Sequence, residues 1–272
     1  MFYFLPWSLA TIIYLPIFFQ LYSFRWQMLD YTHAYFILPV SLWLVWKKRK
    51  ELTPIFDSSP RLTIFSLCLL VFGLLIFVFG WRQDYLFISA FSMVPVSFGL
   101  VLYLYGQRAA KALLFPILYL LLLIPPPFGI LDSITLPMRY GVSIGTEIIL
   151  KLFDIPLVRD GLLLSLNGNE IYMGAPCSGM RSLVTMFALG LAYVYLIRLN
   201  NKHKTFLVLA IIPFALAGNL IRTVITCLCV FYIGPQMAEG PVHFLTGLAV
   251  FILMLGCFIA LEKKLERSED DQ

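Results

Sequence analysis

Leu62-Thr63-Ile64-Phe65-Ser66-Leu67-Cys68-Leu69-Leu70-Val71-Phe72-Gly73-Leu74-Leu75-Ile76-Phe77-Val78-Phe79-Gly80-Trp81 carries no charged side chain from end to end. A run of about 20 apolar residues is what an α-helix needs to cross the ~30 Å hydrocarbon core of a bilayer. Inside lipid every backbone N–H and C=O must find a partner within the segment, and a helix supplies them all. Similar runs occupy residues 5–22, 33–46 and 85–105, a stretch ending at Ile124, a stretch from Cys177 to near Arg198, one starting near Phe206, and 243–261. The chain is therefore expected to be an all-α polytopic membrane protein with about eight transmembrane helices, forming a single domain over residues 1–272. Composition agrees: 60% of residues are hydrophobic and 13% charged, whereas soluble domains carry about 25% charged residues. No basic region precedes residues 5–22, so that run reads as a retained first span and not as a cleaved signal peptide.

The net charge of +5 does not form a nucleic-acid-binding face. Positive residues fall in short clusters between the apolar runs. Lys47-Lys48-Arg49-Lys50, Arg61, Arg108 with Lys111, Arg198 with Lys202 and Lys204, and Lys263 with Lys264 and Arg267 all land on one side of an eight-span chain. The positive-inside rule makes that side the cytoplasm, with both termini and the tail 262–272 there. Trp26 and Trp81 then mark the outer boundary, and Trp43 and Trp46 the inner one, as interfacial aromatics do.

Residues 128–176 fall on the extracytoplasmic side. Their first part, about 130–153, has the mixed spacing of an amphipathic helix lying on the membrane surface or tucked into the bundle. Asn167-Gly168 between two short apolar runs is a hairpin turn signal. A small extracytoplasmic β-hairpin should thus precede the sixth span.

The five cysteines do not suit a disulfide framework, since four lie inside apolar runs. Cys227-x-Cys229 puts its thiols on roughly opposite helix faces and lacks metal-ligand spacing. Cys177 differs: it opens the sixth span at a helix N-terminus, where the helix dipole favours thiolate, with Arg181 one turn on. Arg181 there either tunes the thiol or fixes the hairpin. His243 opens the eighth span from the same outer side, and Arg222 reaches similar depth on the seventh. A thiol must lose its proton to attack, and a histidine within hydrogen-bond reach can take it and later return it to a leaving amine. An arginine stays charged and offers forked N–H donors to a developing oxyanion. Arginine inside a span costs about 2.5–3.5 kcal/mol on insertion scales, which marks it as functional by default. His33, at matching depth before the second span, is the rival base or a substrate-side group. His203 lies in a basic cytoplasmic loop. No metal and no organic cofactor is required by this set.

Two other classes share some of these features. Intramembrane arginines and proline-broken helices also mark small transporters or channels. A membrane acyltransferase using a histidine base would leave Cys177 structural.

The ordered set Cys177-Ser178-Gly179-Met180-Arg181-Ser182, then Asn219-Leu220-Ile221-Arg222, then His243 with Gly247 four residues on, resembles the exosortase/archaeosortase family of membrane cysteine transpeptidases. Tyr31-Thr32-His33-Ala34-Tyr35-Phe36-Ile37-Leu38-Pro39, followed by Trp43 and the basic block, is similar to that family's N-terminal signature. The resemblance covers nearly the whole chain. It implies Cys177, Arg222 and His243 as catalytic residues, with Arg181, Ser178, Asn219 and His33 binding substrate or supporting them. A histidine at 243 favours the bacterial branch. The implied substrates are exported proteins ending in a sorting tail: a short motif, typically Pro-Glu-Pro, then a transmembrane helix and a basic end. They would be cut near the motif and passed to a lipid or glycolipid acceptor, on the outer face of the inner (cytoplasmic) membrane.

Overall fold

The computed structural model describes residues 4–27, 31, 33–52, 59–124, 126, 129–172, 180–238 and 240–270, with the side chains of 131, 132, 180–182 and 270 outside that description. The chain forms two compact units, Met1–Phe128 and Gly129–Gln272. Five helical stretches are long and apolar enough to cross a membrane: Phe4–Trp26, Pro60–Arg82, Leu86–Leu123, Asn201–Tyr232 and Gly240–Glu269. Ala34–Lys47 and Leu183–Leu196 are apolar but shorter.

The first unit contains α1 (Phe4–Leu21), which runs on through a π-helical turn to Trp26, then α2 (Ala34–Lys47), α3 (Pro60–Arg82), α4 (Leu86–Phe91) and α5 (Met93–Tyr119). The Ser59 hydroxyl caps α3 by accepting from the Leu62 N–H at 3.4 Å, and Pro60 fills the first helical position, where no N–H is needed. What α3 buries is small: Ser66, Gly73 and Gly80, seven residues apart. A Cβ on Gly73 would lie 2.7 Å from Val96 Cγ2, and one on Gly80 would lie 2.5 Å from the Ser89 nitrogen. Its large residues, including Phe72, Leu75 and Phe79, are exposed. Lipid tails are as apolar as leucine, so helices in a membrane associate through such small-residue seams and not by hiding their bulky side chains.

Polar side chains add ties within this unit. Ser41 Oγ donates to the Pro116 carbonyl at 2.9 Å. Tyr14 Oη and Ser92 Oγ meet at 2.7 Å. Helix α5 breaks at Gly106, whose φ of 74° and ψ of −175° are closed to other residues. Arg108, just past that break, donates to Glu51 Oε2 at 2.9 Å. The basic block at 47–50 and the basic pair at 108 and 111 thus lie at one end of this unit. Lys47 sits over Trp43 at 5.2 Å and Arg49 over Trp46 at 4.2 Å, aromatic–cation pairs suited to a headgroup boundary.

The second unit opens with α6 (Ile130–Leu152) and a three-stranded antiparallel sheet, β1 (Leu157–Asp160), β2 (Leu163–Leu166) and β3 (Asn169–Tyr172), in the order β1-β2-β3. Asn167 and Gly168 connect β2 to β3 with φ of 50° and 81°, the two positive angles a tight two-residue hairpin requires. Gly161, φ 60°, serves the turn between β1 and β2. Leu157, Leu164, Leu166 and Ile171 bury one face of the sheet against Leu150, Cys227 and Val230. Glu147 anchors the sheet to α6. It accepts from Lys151 Nζ at 2.8 Å and from Arg159 Nε. Those two hydrogen bonds, Lys151's first, hold its carboxyl below the usual carboxylate range. Helix α6 is inside-out by soluble standards: Ile134, Ile148 and Leu152 are exposed, while Thr135, Arg139, Ser143 and Thr146 are buried.

Three long helices complete the unit: α7 (Met180–Leu196), α8 (Asn201–Tyr232) and α9 (Gly240–Asp270). The short α7–α8 connection forces antiparallel neighbours. Asn200 caps α8, its side chain accepting from the His203 N–H at 2.8 Å. Glu269 near the end of α9 accepts from the Asn200 N–H at 3.0 Å and meets the His203 ring. Tyr193 Oη donates to Glu262 Oε2 at 2.9 Å, and fully buried Phe258 packs edge-on against Tyr193 and Phe214. The polar α7–α8 turn and the end of α9 are thereby latched together at one end of the three-helix group.

Candidate functional site

The other part of the α8–α9 seam carries the chemistry. The helices approach where residues are smallest. A Cβ on Gly218 would lie 2.8 Å from Met254 Cγ, and one on Gly247 would lie 2.9 Å from Arg222 Nε. The guanidinium therefore lies across the α9 backbone in space that only glycine leaves open. One turn before Gly247, His243 presents its ring to the same group, with Nε2 2.7 Å from Arg222 Nη2. Arg222 and His243 are each half-buried. Counted along α8 from Asn201, Arg222 stands roughly 31 Å from the latched end at 1.5 Å per residue, about one hydrocarbon thickness away.

The hydrogen-bond chemistry of this pair is constrained. A guanidinium has only N–H donors, so Nε2 must be the acceptor. The lone pair of a neutral imidazole is thus directed at a fixed cation. Thr226, one turn after Arg222, places Oγ1 3.5 Å from His243 Nδ1 and donates its own proton to the Arg222 carbonyl at 2.9 Å.

Beside the pair lies a small cleft between α7, α8 and α9. Met186, Phe214, Phe251 and Met254 supply apolar walls, and Asn219 and Arg222 supply its polar groups. Asn219 is buried at 4% exposure, three residues before Arg222 and so on the same helix face. The arrangement offers a permanent cation and a proton-exchanging ring beside an apolar slot.

Of the residues singled out from sequence, the structure brings together Arg222 and His243, with Asn219 lining the adjoining cleft. His33 is buried immediately ahead of α2 in the other unit, its ring 5.7 Å from that of Tyr31. Arg181 lies in the first turn of α7. Cys177 and Ser178 lie outside the described residues. Thr226 was not singled out from sequence, and Gly247 was read only as part of the family pattern, although each follows a chosen residue by four positions on the same helix face. Gly141-Val142-Ser143-Ile144-Gly145 spells a Gly-x-Ser-x-Gly motif that sequence reading passed over. A nucleophilic serine in that motif needs a strand-to-helix turn. Here it lies inside α6, and Ser143 Oγ is buried and donates to the Gly161 carbonyl at 3.0 Å, so it docks the sheet.

A family model described as transmembrane exosortase matches residues 26–260. No curated protein and no solved structure matches the chain.

Proposed function

The chain belongs to the transmembrane exosortase family, and from that premise we propose that it is a membrane-embedded cysteine transpeptidase of the bacterial inner membrane. It cuts the C-terminal sorting tail of exported proteins and passes the new C-terminus to a lipid or glycolipid acceptor. The observation that carries this reading is the 2.7 Å contact of Arg222 with His243 beside the apolar cleft. On this reading the chain makes eight spans. The break at Gly106 divides Leu86–Leu123 into two of them, and α2 and α7 cross as well. Both termini are cytoplasmic, and the site and the small sheet are extracytoplasmic.

Cys177 is the nucleophile. Its thiol proton passes to His243 Nε2 once Arg222 turns its N–H groups from that nitrogen to the scissile carbonyl. The thiolate adds to the carbonyl carbon, and Arg222 stabilises the resulting oxyanion. Nε2–H then protonates the departing amine, the C–N bond breaks, and a thioester remains on Cys177. An acceptor amine or hydroxyl, losing its proton to Nε2, displaces the thiolate, which takes that proton back. Asn219, Ser178 and Arg181 bind substrate or support these three. Helix geometry supports the assignment of Cys177. A Cβ on Gly190 of α7 would lie 2.8 Å from Ile211 Cδ1 of α8, and Met186 shares the cleft with Ala215. Counting back along antiparallel helices sets Met180 at the axial level of Leu220 to Arg222. Cys177 precedes Met180 by three residues, a reach of at most about 11 Å.

Two experiments bear on this reading. A charged, membrane-impermeant maleimide added outside spheroplasts should label Cys177 and nothing else, because Cys68, Cys229 and Cys257 lie within apolar spans and Cys227 is buried. Labelling that requires permeabilised membranes overturns the proposed orientation. Gly247→Ala inserts a methyl where Arg222 Nε lies 2.9 Å away. The flexible guanidinium can yield, so thermal stability should change little, but its contact with His243 should not survive. Tail cleavage should fall by roughly 100-fold, the scale of a 1 Å misplacement in a catalytic geometry. Full activity in Gly247→Ala would show that this contact plays no part.

A further inference from the structure

We propose that Thr226 is a positioning residue that keeps the ring proton of His243 on Nδ1 when Arg222 leaves Nε2 for the substrate, so that Nε2 stays the nitrogen that exchanges protons. This rests on the transpeptidase reading of the same site. The argument starts from proton counting. Arg222 can only donate, so the 2.7 Å contact fixes a lone pair on Nε2. A neutral imidazole carries one ring proton, which is then on Nδ1. That N–H faces Thr226 Oγ1 at 3.5 Å. The Thr226 hydroxyl cannot compete as a donor, because its hydrogen is directed to the Arg222 carbonyl at 2.9 Å. Its oxygen lone pairs are what remains for Nδ1–H.

The geometry is set by α8 alone. Arg222 and Thr226 are one turn apart, so one helix meets both ring nitrogens of a histidine on the neighbouring helix. Thr226 is 5% exposed, so its own oxygen meets little water. Its β-branch restricts χ1, and the bond to the i−4 carbonyl selects the rotamer, so the acceptor is fixed in place. During the reaction the ring gains a proton at Nε2 from the thiol and gives it to the leaving amine, while Nδ1–H stays on Thr226 throughout. No proton passes through Thr226.

The test uses the full-length protein in detergent, labelled with 15N-histidine. His243→Gln assigns the His243 signals among the three histidines. Wild type should show His243 protonated at Nδ1 and bare at Nε2. Thr226→Val, nearly isosteric, should lower kcat by roughly 10- to 100-fold, within the range proton-transfer groups contribute, with KM within about twofold; set in the Arg222→Ala background, where no guanidinium holds Nε2, it should also give mixed tautomers. Thr226→Ser should restore both readouts. An Nε2–H tautomer in wild type overturns the inference without any variant. So does Thr226→Val with an unchanged kcat and, in the Arg222→Ala background, an undisturbed Nδ1–H tautomer. If Cys177→Ala still cleaves the tail, the transpeptidase reading falls, and the tautomer measurement separately shows whether Thr226 orients the ring.

Discussion

Cys177→Ala leaves a co-expressed substrate protein with its C-terminal tail uncut, at undiminished enzyme level. The expected loss is at least about 10⁴-fold, since removing the nucleophile of a covalent mechanism abolishes the intermediate and leaves only binding and oxyanion stabilisation behind. Among the described residues, neither Cys227 nor Ser143 can take over. Cys227 is fully buried beneath the sheet, and Ser143 is committed to the Gly161 carbonyl inside α6. Cys177→Ser should be nearly as inactive, because a hydroxyl holds its proton far more tightly than a thiol does and has only one neutral histidine to help it. The readout is the ratio of full-length to shortened substrate on an immunoblot, with both variants quantified alongside. Continued cleavage by Cys177→Ala would return the thiol to a structural role and favour a histidine-based acyltransferase. Absence of any covalent adduct in wild type, with acceptor withheld, would favour a transporter.

Arg222 and His243 could be paired before any coordinates because depth along a helix is a count of residues. Charge topology gave both a similar depth on successive spans, and the two side chains meet at 2.7 Å. Gly247 and Thr226 needed more than depth. Their roles follow from the antiparallel register of α8 against α9, in which Thr226 faces His243 and Arg222 faces Gly247, and register depends on which small residues meet across the seam. The i+4 spacing of each from its partner was visible but became informative only once that seam was known. The turn at Asn167-Gly168 was readable because two positive φ angles demand that dipeptide. Strand β1 was not, although Asp160-Gly161 is a comparable signal, because β1 is tied to α6 by a Glu147–Arg159 contact between residues distant in sequence. The span count is ambiguous for a physical reason as well. Gly106 breaks the backbone within Leu86–Leu123, so the two apolar runs of the sequence meet at a kink, with no loop between them to mark where one ends.

Arg222→Ala separates stability from function more sharply than any other substitution in this chain. An arginine on a membrane span costs about 2.5–3.5 kcal/mol on insertion scales, so its removal should leave membrane insertion and protein level equal to wild type or higher. Tail cleavage should move the opposite way. Removing one donor to a developing oxyanion costs roughly 10²–10³-fold in rate, and here the same group also sets the lone pair of His243. Arg222→Lys keeps the charge but replaces a planar fork with a point donor. Lysine cannot lie across Gly247 and serve both the ring and the carbonyl, so it should recover less than a tenth of the lost rate. The measurement is single-turnover release of the tail with acceptor withheld, which isolates thioester formation, set beside thermal stability of the purified variants. Cleavage by Arg222→Ala within about tenfold of wild type would remove the oxyanion role, since that loss lies below the range such donors contribute. A variant that inserts well, melts no lower and fails to form the thioester is the outcome that only a functional arginine explains. A structural arginine, once removed, would have to lower stability along with activity.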